Sequence, residues 1–177
     1  MILPGLFLKV AHRQLSLPLV SASLSQACVC HSERVLPLRL SSCAFPRGGV
    51  LPSEYSYAAS NTNPPLRIDG LPETARSLMI LLEHRNAPIA PRTHWICWDI
   101  PPILEIQAGD QRGKPGRNDF LINGYTGPLG QPFSGSFCFF VFALRRPLHL
   151  PVGASCYQAM RLLTTELLSF GELPFYA

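Results

Sequence analysis

Leu36, Leu38 and Leu40 alternate with Pro37, Arg39 and Ser41, a period of two that predicts a strand with proline near its start. Three apolar runs predict longer strands. Residues 76–83 end at Glu83, residues 93–100 stop at Pro101-Pro102, and residues 137–144 are the most hydrophobic. The last run has aromatic side chains at both odd and even positions, as a central strand buried on two faces requires. Helical spacing occurs once. Ala159, Leu163 and Leu167 recur every fourth residue behind Ser155 and Gln158, which form a capping-box pattern, and Gly171 is the expected stop. Pro46, Arg47, Gly48 and Gly49 read as a turn, and residues 52–65 as a proline- and asparagine-rich loop. The pattern predicts a mainly β domain with one helix near its end.

Residues 1–34 hold no sustained period and read as a leader or disordered extension ahead of a domain spanning 35–177. The stretch 14–32 lacks charge but contains Pro18 and several serines, which makes it a poor transmembrane helix. Lys9, His12 and Arg13 before residues 15–20, with Ser25-Gln26-Ala27 after them, also fit a signal peptide. A cytoplasmic location is expected, with export through that peptide as the alternative.

Composition narrows the function. The 177 residues are 47% hydrophobic and 15% charged, which excludes a polyelectrolyte-like disordered chain. Eighteen prolines argue against a helical bundle. The net charge of +4 is scattered, with no basic block beyond Arg145-Arg146, so no nucleic-acid surface is expected. A basic pocket for a small anion remains compatible with it. Cys28 and Cys30 form no second pair, a poor zinc signature, while Cys97 and Cys138 lie in apolar runs; reduced core thiols are expected, with a disulfide as the alternative.

Several segments, in order, resemble the phosphatidylethanolamine-binding protein family, in particular its bacterial and archaeal Raf kinase inhibitor-like branch. They are the opening strand around residues 40–45 with Gly48-Gly49-Val50-Leu51-Pro52, and Asn61-Thr62-Asn63-Pro64-Pro65-Leu66 followed by Gly70-Leu71-Pro72. Residues 83–88 follow, in the place of the signature E-D-P-D-A-P, and then Thr93-His94-Trp95. Gly116-Arg117-Asn118-Asp119-Phe120 and Gly124-Tyr125-Thr126-Gly127-Pro128 complete the series. The resemblance implies a β-sandwich of two antiparallel sheets with a C-terminal helix. It also implies a surface pocket for a phosphate-like anion or phospholipid head group, in a non-catalytic binding protein that can regulate a kinase or protease. His94, Tyr125, Gly127, Pro128, His84 and Pro88 fall on its pocket segments. No catalytic residue, metal or cofactor is implied, and the oligomeric state stays open, a homodimer included.

The chain also departs from the family. His84 and Asn86 replace the two signature aspartates, and Arg85 replaces the proline between them. Gly135-Ser136-Phe137 stands where the family carries H-R-Y, removing a second histidine and a tyrosine hydroxyl. His84 and Arg85 then make a more basic rim, or solvated loop charges. His94 reads as a pocket group or as a core histidine; strict alternation puts it on one face with Ile96, opposite Trp95 and Cys97. Alternation also sends Glu83 and His84 to opposite sides, so Glu83, His84 and His94 are not expected to share a metal. Ser134, Ser136, Ser155 and Cys156 lie in no G-x-S-x-G elbow, and the basic loop 109–116 lacks the phosphate-loop order. Two alternatives accompany the binding reading. One is a member with a degraded pocket acting by protein–protein contacts, the other a weak esterase or phosphatase using His94.

Overall fold

A computed structural model describes residues 37–130 and 135–177. The expected leader or signal peptide, Cys28, Cys30, Leu36 and Ser134 lie outside the described residues. The alternating leucines become β1 (Arg39–Ser41), with Leu38 and Leu40 buried and Arg39 exposed. β1 pairs with β2 (Leu66–Asp69), and β2 with β5 (Glu105–Ile106), to make a three-stranded sheet. The second sheet has the order β6-β4-β3-β7-β8, from β3 (Ser77–His84), β4 (Arg92–Ile100), β6 (Lys114–Pro115), β7 (Ser136–Leu144) and β8 (Leu167–Tyr176). Every pairing between these named strands is antiparallel. The fold is therefore the expected mainly β arrangement of two antiparallel sheets and a helix.

β3 is buried along all eight residues because the large sheet is covered on both faces. Leu78, Ile80 and Leu82 join Phe137, Phe139 and Val141 in the core shared with Leu40, Leu66 and Ile68 of the small sheet. Met79, Leu81, Ile96, Trp98, Phe140 and Phe142 are buried outside that cluster. Helix α1 (Cys156–Glu166) approaches β4 and buries Ala159 and Leu163. Two-sided burial of this kind explains why these strands read as continuous apolar runs. Among the described residues, no helix is long and apolar enough to cross a membrane.

The helix begins as expected. Ser155 accepts from the Gln158 backbone N–H and the Gln158 side chain accepts from the Ser155 N–H. It ends earlier than expected, at Glu166; Leu167 is already extended, and Gly171 is a strand residue rather than a helix stop. Ser169, Gly171, Leu173 and Phe175 are the buried positions of β8, so the period changes to two. Gly171 has a steric reason: a Cβ there would lie 2.5 Å from the Leu38 carbonyl oxygen. Backbone bonds from Leu38, Gly48 and Leu51 to β8 carbonyls close the sheet's outer edge.

Candidate functional site

The site is built around an irregularity between β3 and β4. Leu82 pairs with Trp95, but the next pair is Glu83 with Thr93, so His94 is the extra residue of a β-bulge. Strict alternation therefore fails at this position. The His94 ring stands perpendicular to Phe137 at 5.2 Å, against the inter-sheet core that holds Trp95 and Cys97. Ile96 stays on the opposite face, beside Trp98 at Gly116. His84 stacks on the same Phe137 at 4.3 Å, and the two imidazoles are 5.9 Å apart. Position 135 matters here, because a side chain in place of Gly135 would collide with His84 Nε2 and Asn86 Oδ1.

A loop holds His94 from outside. Phe120 packs edge-on against its ring at 4.8 Å. The Asn118 side chain reaches the His94 carbonyl at 3.0 Å and Thr126 Oγ1 at 2.8 Å, while its oxygen accepts from Phe120 and Ile122 N–H. The Thr93 N–H donates to Asp119. Thr126 closes the loop, its N–H on the His94 carbonyl and its own carbonyl 2.9 Å from His94 Nδ1. Burial pushes His94 down to about 4, against the opposing pull of the Thr126 carbonyl, and burial also lowers His84. Both rings are uncharged at neutral pH.

His84 and His94 line a cleft of about 220 Å³ together with Pro88, Phe120 and Leu129, and Arg92 also borders it. Arg92 is exposed and lies over the Phe120 ring at 5.9 Å. Of the six residues expected at the pocket, the structure brings His84, His94 and Pro88 together. Tyr125, Gly127 and Pro128 do not line this cleft. Tyr125 donates to the Tyr55 carbonyl and packs on Trp95, the Gly127 N–H donates to Asn61, and the Pro128 carbonyl accepts from Tyr57. These three tie the loop down behind Thr126. Burial raises the Tyr125 hydroxyl's pKa. Tyr125 and Asn61 instead border a larger hollow of about 410 Å³, beside the glycine-rich loop whose Asp110 and Arg112 pair with each other.

Arg85 is not part of the expected basic rim. It pairs with Glu172 at 2.8 Å and lies over Phe140, so the guanidinium at the cleft is that of Arg92. The sequence shows Arg92 only as a charge before a strand; its direction depends on the bulge. Asn118 and Phe120 carry no signal in the sequence beyond the motif at residues 116–120, because their contacts with His94 depend on the folded loop. Burial lifts Glu83 to about 8, and among the described residues one of its carboxyl oxygens has no hydrogen-bond partner. Among the described residues no cluster of His, Cys, Asp and Glu could hold a metal. Cys43, Cys97, Cys138 and Cys156 are free thiols, and burial pushes the last three up to about 12, which keeps them from acting as thiolates.

The phosphatidylethanolamine-binding protein family model matches residues 41–173. A UPF0098 protein of Pyrococcus horikoshii is 34% identical over 171 residues, covering 89% of this chain and 86% of its own. One from Pyrococcus abyssi is 37% identical over 143 residues, covering 75% and 80%. Among solved structures, a phosphatidylethanolamine-binding protein homologue of Chlamydia trachomatis superposes with a TM-score of 0.75 at 24% identity, over 80% of this chain and 97% of that one. Escherichia coli YbcL, described as a member of the mammalian family, gives 0.71 at 20% identity, over 80% and 98%.

Proposed function

Since the chain belongs to the phosphatidylethanolamine-binding protein family, we propose that it is a non-catalytic binding protein holding a small anionic ligand in the cleft between His84, His94 and Arg92. One observation carries the reading. The described cleft residues offer a guanidinium, two imidazoles and otherwise apolar side chains, and no carboxylate of the described residues pairs with Arg92. An unopposed guanidinium beside a low-dielectric hollow favours a phosphate-like group through charge-assisted hydrogen bonds. Pro88, Phe120 and Leu129 would receive the apolar part of such a ligand. Tyr125, Gly127 and Pro128 serve by fixing the loop that carries Thr126 and Leu129.

Calorimetric titration with inorganic phosphate at low salt tests this. Saturable binding that weakens at least several-fold in Arg92→Ala is expected, since a hydrogen bond to a charged group is worth about 1.5–3 kcal/mol. Absence of saturable binding at millimolar phosphate would overturn it. A role through contacts with a protein such as a kinase or protease draws on Ile89, which is 91% exposed at the cleft. A partner retained by Arg92→Ala but lost by Ile89→Asp would select that reading. The proposed site of action is the cytoplasm; recovery of the protein outside the cell would select export through residues 1–34.

A further inference from the structure

His94 has only one way to be neutral. Its Nδ1 lies 2.9 Å from the Thr126 carbonyl oxygen, and a carbonyl can only accept. Nδ1 therefore carries the proton, and Nε2 is a bare lone pair. A second proton is opposed by burial and by His84 at 5.9 Å. The charged and titratable groups around the ring are few. His84 comes from β3, Arg92 from β4 itself, and Asp119 from the loop bearing Phe120, where its carboxylate already accepts from the Thr93 N–H. The Thr126 loop presents the backbone of Thr126 and of Gly127. His84 Nε2, on a residue only 5% exposed, has no hydrogen-bond partner among the described residues. A ligand held by Arg92 thus meets an acceptor at His94, where an anion would need a donor.

Building on the anion reading above, we infer that the cleft selects oxyanions that bring their own proton. Phosphomonoesters or inorganic phosphate can donate a P–OH to His94 Nε2 while their bare oxygens face Arg92. Phosphodiesters and sulfate offer only acceptors at neutral pH. Two lone pairs set against each other leave both groups desolvated without a partner. A dianionic monoester, whose second pKa is about 6, takes up about one proton on binding above that pH. That proton ends between a phosphate oxygen and Nε2, and no bond to phosphorus breaks.

The test is calorimetric titration of the whole chain with phenyl phosphate and with methyl phenyl phosphate, at about pH 7.5 in Tris and in HEPES. Referred to its monoprotonated form, about 3% of the total at that pH, the monoester should bind at least about tenfold tighter than the diester, the worth of one charge-assisted hydrogen bond, and its heat should differ between buffers by about one proton's ionisation. His94→Gln, whose amide can donate, should bring the diester up to the monoester. Equal affinities of the diester and of the monoprotonated monoester for the wild-type chain would overturn the inference and leave the anion reading standing. Saturable binding of neither probe would overturn both. Phosphatidylcholine vesicles with and without phosphatidic acid then separate the sources. Retention only with phosphatidic acid assigns a lipid-borne monoester; no retention beside phenyl phosphate binding assigns a soluble one.

Discussion

His84 occupies the space that a side chain at position 135 would need; a Cβ on Gly135 would meet His84 Nε2 and Asn86 Oδ1. Gly135→Ala should therefore destabilise the domain by about 1–3 kcal/mol, the usual cost of overpacking. Removing the obstacle should relieve it. In His84→Ala/Gly135→Ala the two effects are expected to be non-additive by about 1 kcal/mol or more in chemical denaturation. Additive losses would show that the two positions do not compete for one space.

Asn118 is 3% exposed and holds together the β4 entry, Phe120 and Thr126. Asn118→Ala orphans several buried groups at about 1–3 kcal/mol each. The expected fall in Tm is at least about 4 °C, from about 2–4 °C per kcal/mol at this chain length. Phosphate affinity should drop with it, because Phe120 loses its anchor. An unchanged Tm would mean that water replaces these bonds without loss.

Glu83 and His94 give opposite pH dependences. Glu83 is raised by burial to about 8, so between its ordinary 4.5 and 8 the folded state binds more protons than the unfolded one, and stability falls as pH rises. His94 is lowered to about 4, so between about 4 and its ordinary 6.5 stability rises with pH. The two largely cancel from about 4.5 to 6.5, and Glu83 acts without this opposition above that. Stability should decline from about pH 6.5 to 8 by about 1–2 kcal/mol, the slope for one group being at most about 1.4 kcal/mol per pH unit. Glu83→Gln should flatten the decline in denaturant titrations across that window. A decline that persists in the variant would assign it to another group.

Gly171 touches the Leu38 carbonyl across the outer edge of β8. Gly171→Ala should push residues 37–51 off that edge. Hydrogen exchange at Leu38, Gly48 and Leu51 should rise by at least about tenfold, corresponding to about 1.4 kcal/mol of lost local stability. Protection equal to wild type would show that the segment shifts without opening.

Local chemistry made much of this legible in the sequence. The Ser155 and Gln158 capping box and the apolar runs of β3, β4 and β7 appear where side-chain type and period indicate them, and the matched segments indicated the two sheets. What could not be read depends on neighbours distant in sequence. The facing of His94 is decided by where β3 slips against β4, which no single-strand period contains. β8 escaped because two of its buried positions are Ser169 and Gly171, residues that carry no hydrophobic signal. Arg85 and Arg92 are equivalent as letters; Glu172 on β8 takes the first and leaves the second to the cleft.

The extra residue in β4 makes position 94 surplus to the sheet. A chain from which His94 is deleted joins Thr93 directly to Trp95, and its pairs with Glu83 and Leu82 then follow one another without a step. The hydrogen-bond ladder would become more regular by losing a residue. What such a chain forfeits lies outside the sheet, namely the carbonyl that anchors Asn118 and Thr126 and the ring that floors the cleft. A deletion at this one point therefore removes a residue that the strand pairing does without but that the loop of Asn118 and Thr126 depends on.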